Sequence, residues 1–193
     1  MAAAGRVTTG FSLPYVALYA ASGGSITYSS GTQLARGVDV TITPESSDDN
    51  KFYADNQVAE EDSGRFTGGT LSLTVDGLLT TTKKLIFGLP AETGGWTAYG
   101  DEMSVPYVGV GFIARTQSDG VVSYVPTVIA KCKFHPEELS AATQEDEIDW
   151  QTQSLEATIL RSDDTNHNWK FEGQGYSTES AAETALKAKL NIS

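Results

Sequence analysis

The chain has 193 residues, 39% of them hydrophobic, with 19 glycines, a single cysteine and a formal net charge of −12. That length fits one large domain, or one domain with an arm; the lone Cys132 excludes an internal disulfide framework, and no stretch approaches the ~20 apolar residues that span a bilayer. Residues 45–62 hold seven acids against Lys51 alone, residues 137–149 hold six acids and no Lys or Arg, and the rest is neutral, so two concentrated negative fields stand on a neutral scaffold and no basic grip for nucleic acid is visible.

The start, residues 1–6, lacks the basic-then-apolar layout of a secretory signal, which predicts synthesis in a reducing cytoplasm without export by that route. Residues 15–19 and 25–28 are candidate strands. Residues 38–43 alternate, with Val38, Val40 and Ile42 on one face, as a half-buried strand requires. Residues 44–69 carry the first acidic field and read as a long irregular loop or arm, too long for an ordinary connection. Phe52, Tyr53, Val58 and Phe66 give that segment apolar anchors which a purely solvated loop does not need.

Residues 70–75 alternate again, through Leu71, Leu73 and Val75. Asp76 is a plausible N-cap, after which Leu78, Leu79, Thr82, Leu85 and Ile86 share one helical face; Gly88 and Pro90 stop the helix. Residues 105–114 and 121–129 form a hairpin turned at Ser118-Asp119-Gly120. In residues 127–134 the alternation places Val128, Ala130, Cys132 and Phe134 inward, with Lys131 and Lys133 outward. Leu155, Ala157 and Ile159 repeat the pattern, and residues 168–172 are a further candidate strand. The stretch Gly173-Gln174-Gly175-Tyr176-Ser177 reads as a flexible joint. Beyond it, Ser180 and Glu183 make a capping-box pattern, Glu183 and Lys187 an i,i+4 pair, and Ala182, Leu186 and Leu190 an apolar stripe. So short a helix must pack on something, its own body or a neighbour.

Catalytic machinery is thin. His135 precedes a proline at a strand end and His167 sits in a polar turn, positions typical of surface histidines rather than bases. Cys132 and His135 alone cannot complete a tetrahedral zinc site, and residues 145–149 lack the alternating ligands and central glycine of a calcium loop. The run Gly109-Val110-Gly111-Phe112-Ile113-Ala114 matches a loosened dinucleotide fingerprint. A strand and a Ser-Asp-Gly turn follow it where a helix is required, so the glycines are expected to mark the close approach of another backbone. The expectation is a non-enzyme without cofactor or metal.

An ordered set of segments points to a family. Phe52-Tyr53-Ala54-Asp55-Asn56 with Glu60 resembles the Tyr-Ala-Asp-Asn segment of a group of phage major tail proteins. Residues 106–112 resemble their glycine-punctuated strand. Tyr124, the run Lys131-Cys132-Lys133-Phe134 and Pro136-Glu137-Glu138 resemble the next strand and its acidic exit. Thr143, Gln151-Thr152, residues 155–158 and Trp169 continue the series in order, so that the similarity covers most of residues 12–172.

The resemblance implies a mainly β tail-tube-type sandwich or barrel with one flanking helix. Residues 1–176 would form this domain, with residues 45–69 as its extended loop and residues 177–193 as a C-terminal helical extension. It implies a structural virion protein of long-tailed, noncontractile phages, made in the host cytoplasm. Such subunits form six-membered rings that stack into a tube, meet the tail tip, tape measure and tail terminator proteins, and let DNA pass through the bore without specific binding or any membrane contact. Acidic segments facing the bore would repel phosphates; Asp48, Asp49, Glu145, Glu147 and Asp149 are the lumen candidates. Phe52, Tyr53, Val58 and Phe66 are the inter-subunit candidates. The alternative reading is a ligand- or carbohydrate-binding β-sandwich using Trp96, Tyr99, Trp150 and Trp169 as platforms; a hydrolase built on His135 or His167 is the third.

Overall fold

A computed structural model describes residues 5–62, 64–140, 143 and 150–193. The described chain is mainly β, with β1 (Val7–Ser22), β2 (Ser25–Gln33), β3 (Gly37–Ser46), β4 (Asn50–Ala54), β5 (Gln57–Asp62) and β6 (Phe66–Val75) preceding helix α1 (Thr80–Phe87). Then come β7 (Val108–Ser118), β8 (Val121–Phe134), β9 (Gln153–Ile159), β10 (Lys170–Glu172) and helix α2 (Glu179–Lys189). The main sheet runs β2-β1-β7-β8-β9-β6-β3, with β10 added to β8, and every pairing in it is antiparallel.

The sheet folds over on itself. Alternation drives this: Leu71, Leu73 and Val75 of β6 and Leu155, Ala157 and Ile159 of β9 are buried in one core with Val16, Val108, Val110, Ile129, Cys132 and Phe134 of the facing strands. Helix α1 closes one end of that core with Ile86 and Phe87, whose ring meets Phe134 edge-on at 6.5 Å. The helix stops where sequence places the stop, at Gly88 in the left-handed region (φ 60°). Its start differs. Leu79 is the N-cap and makes no side-chain cap bond, while the carboxylate of Asp76 is taken by the backbone N and Nε of Arg36. Leu79 therefore points outward rather than joining the apolar face.

Two β-bulges redirect side chains that strict alternation puts inside. In β3, Gly37 pairs with Val75 and Asp39 with Thr74, so Val38 is the extra residue and faces solvent. In β8, Cys132 pairs with Val108 but Ile129 pairs with Val110, leaving Ala130 and Lys131 opposite Gly109 alone. The inward series is therefore Ile129, Cys132 and Phe134, and Val128 lies on the opposite face.

That opposite face is covered by α2. Ala182, Leu186 and Leu190 are fully buried against Tyr15, Ala17, Ile113 and Val128, so the stripe packs on the chain's own sheet. The cap is Thr178, whose side chain accepts from Ala181 N, in place of the box expected at Ser180. Glu183 and Lys187 do pair, at 2.9 Å. The segment before the helix is tied down rather than loose: Tyr176 exchanges two backbone bonds with Tyr124, and Gly173 N donates to Pro126 O. The glycines of β7 make room for side chains, not for backbone. A Cβ at Gly109 would strike the Tyr28 ring, and one at Gly111 would lie 2.7 Å from Leu186 Cδ1.

Candidate functional site

The acidic segment 45–69 is not an irregular loop. β3 and β6 continue outward as a ladder, Ser47 N donating to Arg65 O at 2.9 Å, and β4 and β5 then form a separate two-stranded hairpin. Asp55 (φ 51°) and Asn56 (φ 60°) make its tip, the paired positive φ values of a type I′ turn. Asp49 fixes the root by accepting Gly64 N at 2.7 Å, and Ser47 Oγ accepts Arg65 N. Asp48 and Asp49 are both exposed.

Three of the four apolar candidates line this arm in the open: Phe52 is 64% exposed, Tyr53 62% and Val58 47%. Phe52 stands opposite Glu60, and Tyr53 opposite Val58. The fourth, Phe66, turns back into its own body and stacks on Trp169 at 4.7 Å between centroids, with planes 10° apart. It anchors the root of the arm instead of extending its exposed surface. A two-stranded hairpin by itself is marginal in water, and these three side chains are exposed among the described residues.

The second acidic field begins as a clamp. Glu137 receives Lys83 Nζ at 2.7 Å and Tyr99 Oη at 3.3 Å on one oxygen, and Gln153 Nε2 on the other. The side chains of Lys83 and Glu137 are only 21% and 12% exposed, so this acid is spent inside the fold, joining α1 to the start of β9. Glu145, Glu147 and Asp149 lie outside the described residues.

A cleft of about 400 Å³ opens between β3 on one side and the start of β1 with β7, β8 and the β8-paired β10 on the other. Phe11, Val40, Ile42 and Phe112 line it, with Arg6, Lys170 and Glu172 at its margin. Lys170 and Glu172 neutralise each other at 3.0 Å. Arg6 has no ion-pair partner among the described residues, while Arg115, between the cleft-lining Ala114 and Thr116, is not among the cleft's lining residues and donates to the Thr9 hydroxyl at 2.8 Å. Sequence reading missed both this cleft and the Glu137 clamp, because each joins residues far apart in the chain.

On the far face α2 is held by a polar rail as well as its stripe. Tyr15 Oη donates to Glu183 at 2.6 Å, Ser12 Oγ donates to Glu179, and Asn191 Nδ2 donates to Tyr28 O at 3.0 Å. The Tyr15 hydroxyl and the Lys187 ammonium hold the Glu183 carboxyl below the usual carboxylate range, while burial, with Glu183 beside it, pushes the Tyr15 phenol up.

The residues with chemistry to offer stand apart. His135 Nε2 lies 2.8 Å from Thr158 Oγ1 at the exit of β8, and His167 Nδ1 lies 3.0 Å from Ser162 O in a turn. Cys132 is fully buried, and burial pushes its thiol up, away from the reactive thiolate. Trp96 and Trp150 are exposed, but Trp169 is committed to Phe66 and the Tyr99 hydroxyl to Glu137. Among the described residues no group of three metal-ligating side chains converges, and no helix is long and apolar enough to cross a membrane. No protein-family model and no curated protein matches the chain.

Proposed function

We propose that this chain is a self-assembling structural subunit: the tail tube protein of a long-tailed, noncontractile phage, forming hexameric rings that stack into a conduit for DNA. The observation that carries the reading is the β4–β5 arm, which projects from the sheet with Phe52, Tyr53 and Val58 uncovered. A neighbouring subunit is the partner that such an arm fits, because the body it springs from is neutral and can pack on copies of itself without global repulsion. The ordered resemblance to phage major tail proteins supplies the ring, the tube, the tube-type sandwich and the meeting with tail tip, tape measure and terminator proteins. On this reading the subunit is not an enzyme; it is made in the host cytoplasm and resides in the virion.

Light scattering and negative-stain images of the purified chain test it, with and without tail-tip proteins as nucleus. Rings or tubes are the expected outcome; monomers under every condition would overturn the reading. The carbohydrate-binding alternative keeps Trp96, Tyr99 and Trp150 as exposed rings and loses Trp169, which is stacked on Phe66.

A further inference from the structure

We infer that the cleft lined by Phe11, Val40, Ile42 and Phe112 is the receptor for the β4–β5 arm of a second copy of this chain, an inference that rests on the self-assembly reading and names where the contact falls. The two surfaces match in chemistry. On one face of the arm, Phe52 and Glu60 stand directly across from each other, an aromatic ring beside a carboxylate. Opposite residues in an antiparallel pair have Cβ atoms about 5 Å apart, so the two can engage one site together. The cleft offers the complement, an apolar floor beside Arg6, a guanidinium without an ion-pair partner among the described residues. Seating Phe52 on the floor brings Glu60 to the exposed Arg6, and a carboxylate–guanidinium pair is the stronger kind of hydrogen bond.

The net charges agree with the match. The arm is acidic at Asp48, Asp49, Asp55 and Glu60, while Arg6 at the cleft meets no carboxylate among the described residues. The chain's own arm is directed elsewhere. β3 passes the cleft at Val40 and Ile42 and runs outward to Ser46, and the Ser47–Arg65 bond prolongs the ladder in that direction. In the proposed assembly the contact is heterologous: one copy gives the arm and the next gives the cleft, without the reciprocal exchange that would close a pair. Contacts of that type propagate into rings or filaments instead of closing as a pair.

Cysteine cross-linking tests the contact directly, since the native Cys132 is buried. A Phe52→Cys chain is mixed with an Ile42→Cys chain under assembly conditions and oxidised. Disulfide-linked heterodimers are expected, and the Phe52→Cys, Ile42→Cys double variant diluted to monomer should give no internal link. Arg6→Glu should raise the concentration needed for half-assembly about tenfold at low salt, the scale of one charge-assisted bond. Glu60→Arg in the same chain should restore it. Tubes that form without the cross-link and without charge rescue would overturn the cleft as receptor and leave self-assembly standing. An internal link in the monomer would overturn it in favour of the chain's own arm, and failure of the wild-type chain to associate at all would overturn both.

Discussion

Lys83 and Glu137, 54 residues apart in sequence, meet at 2.7 Å with both side chains mostly withdrawn from water. The pair ties helix α1 to the exit of β8, and Gln153 Nε2 and Tyr99 Oη complete the carboxylate's shell. Glu137→Ala leaves Lys83 without a counter-charge and Gln153 without an acceptor, at a cost of about 1–3 kcal/mol. A thermal melt should shift down by roughly 3–10 °C for a chain of this size. Glu137→Gln, which keeps one acceptor, should lose less. Melts unchanged by Glu137→Ala would show that the clamp is cosmetic.

Phe52 and Phe66 belong to one acidic segment but face opposite environments, and their alanine variants should separate. Phe66→Ala opens a gap beside Trp169 and removes a stacked pair, costing the monomer about 2–4 kcal/mol. Phe52→Ala should leave monomer stability within about 0.5 kcal/mol, since the ring touches water, yet impair assembly. Denaturant unfolding of the two monomers, set beside light scattering of their assemblies, reads both effects.

The contrast shows what the sequence could and could not reveal. Strands with clean alternation, such as β6 and β9, were legible because each inward position is simply every second residue. β8 was not, since the bulge at Ala130 and Lys131 changes the face between Ile129 and Cys132, and nothing local to those residues announces it. The arm was legible as an anomaly but not as a hairpin: acids dilute the alternation of β4 and β5, and the one signal was Asp55-Asn56, a pair that tolerates positive φ. The α2 stripe was plain from its spacing, while its surface was not, because Gly111 and Val128 meet it only through the fold.

That surface makes α2 a stability element with an acid-sensitive edge. Deleting residues from Ser177 onward uncovers Tyr15, Ala17, Ile113 and Val128, and the truncated chain should aggregate. Gly111→Ala should cost about 1–3 kcal/mol by forcing Leu186 and Leu190 aside. Glu183 has a folded pKa below its ordinary 4.5, so its contribution is present above that value and is lost as pH falls through the lowered one. Stability against acid should therefore drop below about pH 4.5, and Glu183→Gln should flatten part of that drop. Superimposable pH profiles for the two proteins would remove Glu183 from the account.

Hydrogen exchange distinguishes an arm awaiting a partner from a solvated appendage. In the monomer, amides of β4 and β5 should exchange fast, because the hairpin forms its own small sheet, while those of β6 and β9 stay protected in the core. On assembly the arm amides should slow by at least about tenfold as Phe52 and its neighbours become covered. Equal, fast exchange in both states would mean that the arm carries no contact.

The charge prediction concerns the bore. A tube that passes DNA must not hold it: a basic lining would bind phosphates by counterion release, with steep salt dependence, whereas carboxylates keep the polymer mobile. Six copies per ring, on the proposed assembly, turn each acid into a ring of charge. Asp48 is the better probe of the two acids at the arm's root, because Asp49 also holds Gly64 N and its loss would disturb the turn. Asp48→Lys, and separately Glu145→Lys with Glu147→Lys and Asp149→Lys, should leave tubes intact in negative stain. Whichever field lines the bore should then slow DNA ejection several-fold at low salt and recover as salt screens the new cations beyond a Debye length of about 10 Å. Normal ejection from both charge-reversed tubes at every salt concentration would place the acidic fields on the outside and remove the case for a repulsive lumen.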